Sequence, residues 1–253
     1  MSRIFDSLRR AEEERRNRAS RDESAAERDA TPIVHPLEMP DGSISKEFAR
    51  ELGILQNSLN SALRGKTRRT ILFTSSAREE GATTLAVNFA KMLAMQGQET
   101  VLLCEMNARY PAFADLFSID GASGISDVLA GHRQLSAVVH SLSEYRLAVA
   151  PIGNPDPASM QQLLARMFPR LLEQALAAYT TVILDAPAVT IAPETAPMTP
   201  FVDGVVLVVQ TGKTKREVIQ RSIDAISQQE GTVLGIILNR KKYYIPEFLY
   251  KRV

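Results

Sequence analysis

From Arg69 onward the apolar positions of this 253-residue chain fall into short runs separated by amphipathic stretches. TILFT (70–74), TVLLCE (100–105), YRLAVAP (145–151), TTVILDAP (180–187), GVVLVVQ (204–210) and TVLGIILN (232–239) are near-continuous apolar runs of strand length. Between them the spacing predicts a helix from Gly81 to Met95 and short helices around 112–117 and 124–130. It further predicts one or two helices from Ser159 to Ala177 and a helix from Lys213 to Gln229. Strands that are apolar on both faces and alternate with helices belong to a parallel sheet covered on both sides. The expected fold class is therefore α/β, a doubly wound, mostly parallel sheet. Upstream, SKEFARELGILQNSLNSAL from Ser45 puts Phe48, Leu52, Leu55, Leu59 and Leu63 on one helical face, which should pack on the same core.

The ends of the chain read differently. The first 29 residues are rich in Arg, Glu, Asp and Ala, and only Ile4, Phe5, Leu8 and Ala11 form a short apolar stripe. Two readings stand beside each other: a frayed, solvated helix, or a docking helix whose Ile4/Phe5/Leu8 face meets a partner. TPIVHPLEMPDGS carries three prolines and reads as an extended linker. The tail KKYYIPEFLYKRV is basic and aromatic. Three units are expected: an arm and linker over 1–44, an α/β domain over 45–240, and the tail over 241–253.

Composition narrows the function classes. Apolar residues make up 45%, as in a globular domain, and 30 Lys and Arg against 29 Asp and Glu leave a net charge of +1. That balance argues against a dedicated nucleic-acid binder. The single cysteine, Cys104, sits in an apolar run and reads as a buried, inert thiol. No apolar stretch approaches the length of a membrane span, and MSRIFDSLRRAEEERR has no apolar signal region. The expected location is cytoplasmic, with any membrane contact peripheral and through a partner.

The chemistry gathers where strand 70–74 runs into TSSAREEGATTLAVNFA. A strand, a tight polar loop with Gly, and Thr-Thr opening a helix form a cradle for one anion, built from loop N–H groups and a helix N-terminus. A working P-loop reads GxxxxGK[ST]. Gly81 and Thr83 match it, Ser76 stands at the first Gly, and Ala82 stands at the lysine. Three further strands end in VLLCEMNARYP, VILDAP and GIILNR.

The order and spacing of these four motifs resemble the bacterial tyrosine kinase family. These are MinD/ParA-like P-loop NTPase-fold proteins that accompany polysaccharide co-polymerases in capsule and exopolysaccharide export. The resemblance covers residues 45–240 and includes the GISDVLAG (124–131), LAVAPIGNPDPASMQQLL (147–164) and VDGVVLVVQTGKTKREVI (202–219) stretches. It implies that Ser75, Ser76, Glu80, Gly81, Thr83 and Thr84 keep a loop of the form SSxPGEGKST. Arg109 and Pro111 keep LLIDxDxRxP, and Asp185 and Pro187 keep IIIDTPP. It further implies that Gly81, Ala82, Thr83 and Thr84 border the nucleotide phosphates and that Asn239 reads the adenine edge. Mg²⁺ would fall to Thr83, Glu105 and Asp185, and a degenerate catalytic set to Glu105, Asn107 and Asp185.

The departures from the family lie where phosphoryl transfer happens. Ala82 replaces the lysine, and losing one preorganised donor costs roughly 3–4 kcal/mol of barrier in other enzymes. Asn107 replaces an aspartate and cannot take a proton from tyrosine. Glu105 replaces another and reaches one methylene too far for an ion that wants regular octahedral geometry. Glu79 replaces a loop glycine, adding a carboxylate and removing the freedom to take positive φ. Ala188 replaces the second proline of the third motif. These point to impaired catalysis; the alternative is that Arg78 substitutes for the lysine. ATP or ADP with Mg²⁺ would then bind at reduced strength or not at all.

Two assembly features complete the comparison. Family members carry ExxRxxR at a ring contact; here Glu47 and Arg50 match, and Gly53 takes the last position. The tail has only Tyr243, Tyr244 and Tyr250, to be read either as phosphoacceptors or as part of a segment packing Ile245, Phe248 and Leu249 on its own domain. The leading expectation is a kinase-like, catalytically impaired subunit of an exopolysaccharide system. Its partner would be the cytoplasmic segment of a membrane co-polymerase, with self-association or pairing with an active paralogue. An active autokinase is the first alternative. A MinD/ParA-like positioning ATPase is the second, disfavoured because Ala77 stands where such proteins carry an extra lysine.

Overall fold

The computed structural model describes residues 46–142 and 146–240. The arm, the linker and the tail lie outside the described residues, and so do the readings made for them. Seven strands form one sheet: β1 (Arg69–Ser75), β2 (Val101–Glu105), β3 (His140–Leu142), β4 (Leu147–Ala150), β5 (Thr181–Asp185), β6 (Gly204–Gln210) and β7 (Val233–Asn239). Their spatial order is β3-β4-β2-β5-β1-β6-β7. Every neighbouring pair is parallel except β3 with β4. The expected doubly wound, mostly parallel sheet is what forms.

Alternation along each strand builds two cores. Leu72, Leu102, Cys104, Val182, Leu184, Val205 and Leu207 point to one face, where α4 (Ile125–Leu129), α5 (Pro157–Ala178) and α6 (Arg216–Gln228) cover them. Ile71, Phe73, Leu103, Ile183, Val206 and Val208 point to the other, under α1 (Lys46–Ala62), α2 (Ala82–Met95) and α3 (Phe113–Phe117). Successive side chains of a strand go to opposite faces, so a strand covered on both sides reads as one unbroken apolar run. Helix α1 buries Leu52 and Leu59 in the second core, joined by Leu63 just past its end, with Phe48 and Leu55 at its margin.

One open reading is decided, and one element is new. The segment 159–177 is a single helix, α5, which continues through Pro169. Asp156 caps it, accepting from the Ala158 N–H at 3.2 Å and the Ser159 hydroxyl at 2.7 Å, and Pro157 fits the first turn, where no N–H is needed. The antiparallel edge strand β3 was not foreseen. Its three residues, His-Ser-Leu, are too few to show a period.

In this topology the carboxyl ends of β1, β2 and β5 lie side by side at the middle of the sheet. Glu105 is in register with Asp185, and Phe73 with Asp185 on the other side. Ligands of doubly wound sheets bind at such a place.

Candidate functional site

The loop after β1 is held from several directions. Ser76 is fully buried, and its hydroxyl lies 2.9 Å from that of Ser222 on α6. A glycine would leave that contact unmade, so this departure has a packing reason. Glu80 is 2% exposed and turns inward. It accepts from the Ala77 N–H at 2.8 Å, from the Gln210 N–H at 3.2 Å and from the Thr214 hydroxyl. The Asn239 amide donates to the Glu80 carbonyl at 2.8 Å. Gly81 has φ 95°, and a Cβ there would lie 2.3 Å from Asn239 Nδ2, so both its conformation and this close approach require glycine. Glu79 stands beside it with φ 62°, a left-handed conformation that costs a non-glycine residue roughly 1 kcal/mol.

Gly81 then opens α2 and has no side chain to cap it. The N–H groups of the first turn lack intrahelical partners and carry partial positive charge. They border a cleft of ≈ 270 Å³ whose walls include Arg78, Glu79, Ala82, Thr83, Asn107 and Tyr110. Ala82 presents a methyl group at the position of the lysine.

Asp185 ends β5 and is 1% exposed. Burial, with a smaller contribution from the charge of Glu105, pushes its carboxyl up to about 7, while a hydrogen bond with Thr83 opposes the shift. Its Oδ1 has no hydrogen-bond partner among the described residues. A buried carboxylate oxygen left open beside a threonine hydroxyl fits a hard divalent cation, which takes oxygen ligands. Thr83 and Asp185 therefore suit the Mg²⁺ end of a nucleotide. The phosphate end fits less well, with a methyl group at Ala82 and a carboxylate at Glu79.

Both carboxylate oxygens of Glu105 are held by backbone N–H groups. One carboxylate oxygen accepts from the Ala112 N–H and, at 3.0 Å, from the Phe113 N–H at the start of α3; the other accepts from the Ile152 N–H at 3.1 Å. Burial raises its pKa, and these three N–H groups pull the other way. In this conformation Glu105 fastens the start of α3 and the segment after β4 to the sheet. Among the described residues no cluster of three or more His, Cys, Asp or Glu forms a metal centre.

The remaining site residues are placed as follows. Asn107 borders the cleft and accepts from the Tyr110 N–H at 3.1 Å, holding the turn that carries Arg109 and Tyr110. Arg109 is locked to buried Glu194 by two hydrogen bonds of 3.0 and 3.3 Å. Thr84 is exposed on the cleft wall. Asn239 donates to Glu80 and accepts from the Arg240 N–H at 2.8 Å, so both ends of its amide already hold backbone. The partners Thr214 and Glu194 were not foreseen. Each lies 85 or more residues from the group it holds, and no local pattern marks them.

No protein-family model matches the chain. The chain is 28% identical to "Tyrosine-protein kinase YwqD" of Bacillus subtilis over 90% of its own length and 91% of that protein. It is 28% identical to "Tyrosine-protein kinase CpsD" of Streptococcus agalactiae over 81% of its length and 89% of that protein. It also matches one quarter of "Succinoglycan biosynthesis transport protein ExoP" of Rhizobium meliloti at 26% identity, with 76% of its own length. Among solved structures, the kinase domain of Escherichia coli tyrosine kinase ETK superposes with a TM-score of 0.72 at 21% identity, covering 80% of this chain and 82% of that one. The Pyrococcus furiosus cell division ATPase MinD superposes at 0.58 and 19% identity, covering 72% and 78%. The chain is thus a relative of the bacterial tyrosine-protein kinases, built on the P-loop α/β fold those kinases share with MinD.

Proposed function

We propose that this protein is a kinase-like P-loop subunit of an exopolysaccharide or capsule assembly system, impaired in phosphoryl transfer and acting through protein partners. The observation that carries the reading is the Ala82 methyl at the head of α2, in the cleft where the family lysine would meet phosphate. Two neighbours support it. Asn107 borders the same cleft with an amide that cannot take a proton from an acceptor hydroxyl, and Glu79 adds negative charge. Near 4 Å and an effective dielectric of about 20, one such carboxylate opposes each phosphate charge by on the order of 4 kcal/mol before solvent screening. Thr83 and Asp185 keep the means to hold Mg²⁺, which when bound would neutralise phosphate charge. The N–H groups of the first turn of α2 would cradle the phosphate oxygens.

The succinoglycan transport relative supports a place in polysaccharide assembly. No described helix is long and apolar enough to cross a membrane. The partner in this reading is the cytoplasmic segment of a membrane co-polymerase. One observation favours an active kinase as second reading: the Thr83–Asp185 pair is intact. The two separate on incubation of the full chain with γ-labelled ATP and Mg²⁺, beside an Ala82→Lys, Asn107→Asp variant. The first reading expects no label on tyrosine in the parent and measurable label in the variant. Label in the parent at the rate of a working kinase of this family would overturn it. Capture of a co-polymerase's cytoplasmic segment by the purified chain tests the partner.

A further inference from the structure

Three arginines border the cleft, and they differ in what holds them. Arg109 is tied to Glu194 through Nε and Nη2. Arg240 follows β7, where the described residues end. Arg78 is exposed, forms no salt bridge among the described residues, and lies with its guanidinium 3.8 Å from the centroid of the Tyr110 ring. It belongs to the same loop as Ala82, four residues earlier, and borders the same space as the first turn of α2. The loop's two carboxylates do not claim it: Glu80 is turned inward onto Ala77, Gln210 and Thr214, and Glu79 forms no ion pair among the described residues.

We propose that Arg78 supplies to a nucleotide's outer phosphates the cation that Ala82 cannot, and that Tyr110 holds it ready at the cleft. The proposal rests on reading this cleft as a nucleotide site. A guanidinium stays charged and offers parallel N–H donors that match two phosphate oxygens, so it can replace an ammonium as a binding cation. The ring face restricts a long side chain that otherwise loses rotamer freedom on binding, and it keeps the cation from collapsing onto Glu79. Tyr110 is itself placed by the turn that Asn107 closes. The substitution of Asn for an aspartate therefore keeps the platform while giving up the base. Phosphate binding and phosphoryl transfer are in this way separated.

The test is calorimetric titration of the full chain with ADP and with AMP in Mg²⁺ buffer. The proteins are the parent, Arg78→Ala, Tyr110→Ala, Ala82→Lys and the Arg78→Ala, Ala82→Lys double variant, with melting curves confirming that each is folded. Arg78→Ala should weaken ADP by at least about tenfold and AMP by less than about twofold, since a charged hydrogen-bond donor aimed at the outer phosphate is lost. Tyr110→Ala should weaken ADP by about threefold. Adding Ala82→Lys to Arg78→Ala should recover ADP binding. The proposal is overturned if Arg78→Ala binds ADP within twofold of the parent, or loses ADP and AMP alike, which would mean that Arg78 only shapes the loop. ADP binding by Ala82→Lys but not by the parent would sink the Arg78 role and leave the nucleotide site standing. Binding by neither would sink both.

Discussion

Replacing Glu80 tests whether the loop is held from inside by its own carboxylate. That side chain is 2% exposed and accepts three hydrogen bonds, from Ala77 N at 2.8 Å, Gln210 N at 3.2 Å and the Thr214 hydroxyl. A hydrogen bond to a charged group contributes about 1.5–3 kcal/mol, and removing the acceptor leaves its donors without partners. The three share one carboxylate and will not add fully, so Glu80→Ala should lose about 3–5 kcal/mol. Glu80→Gln keeps one oxygen and sets an NH₂ group against an N–H, for a loss of about 1–2 kcal/mol. Thr214→Val removes one donor and should cost about 1 kcal/mol. Urea unfolding with linear extrapolation measures each, and hydrogen exchange of residues 75–81 should speed up in Glu80→Ala. The double mutant should cost less than the sum, because the Thr214 bond is already gone in Glu80→Ala. A Glu80→Ala loss below about 1 kcal/mol, or strict additivity with Thr214→Val, would refute the latch.

Three further outcomes are expected. The Asp185 carboxyl, raised from 3.8 to about 7, holds its proton longer folded than unfolded, so stability is full below pH 4 and falls as pH rises toward 7. Relative to Asp185→Asn, the parent should lose about 2–3 kcal/mol between pH 5 and pH 8 in denaturant titrations, and parallel curves would contradict this. Cys104 is 1% exposed and burial pushes its thiol up to about 12, so it should stay unmodified by a thiol reagent until denaturant is added. Gly53 lies inside α1 with nothing within 4 Å of a Cβ placed there, so Gly53→Ala should raise stability by about 0.5–1 kcal/mol in thermal melts.

The legible part of the fold was the part with long, regular patterns. The six apolar runs became β1, β2 and β4–β7, and the face of Leu52, Leu59 and Leu63 packs where its period placed it. The short edge strand β3 carried no period, and the pattern over 159–177 left one helix or two open, which α5 settles as one. The loop after β1 and the companion motifs were visible because phosphate cradles need local turn chemistry. Glu79 was recognised as standing where glycine belongs, and it takes φ 62°. The direction of the Glu105 carboxylate was not legible: it accepts from the N–H groups of Ala112, Phe113 and Ile152, and no local pattern marks those partners.

The sequence by itself determined the sheet, its two-sided burial and the absence of a lysine from the loop after β1, because each is written in neighbouring residues or in a period of two or 3.6. Only the tertiary structure decided which way the polar side chains of the cleft turn. Glu80 meets Thr214 across 134 residues, Arg109 meets Glu194 across 85, and Asn239 reaches the Glu80 carbonyl across 159. A buried polar group must find a partner wherever the fold brings one, and that partner's place along the chain follows from strand order, not from local pattern.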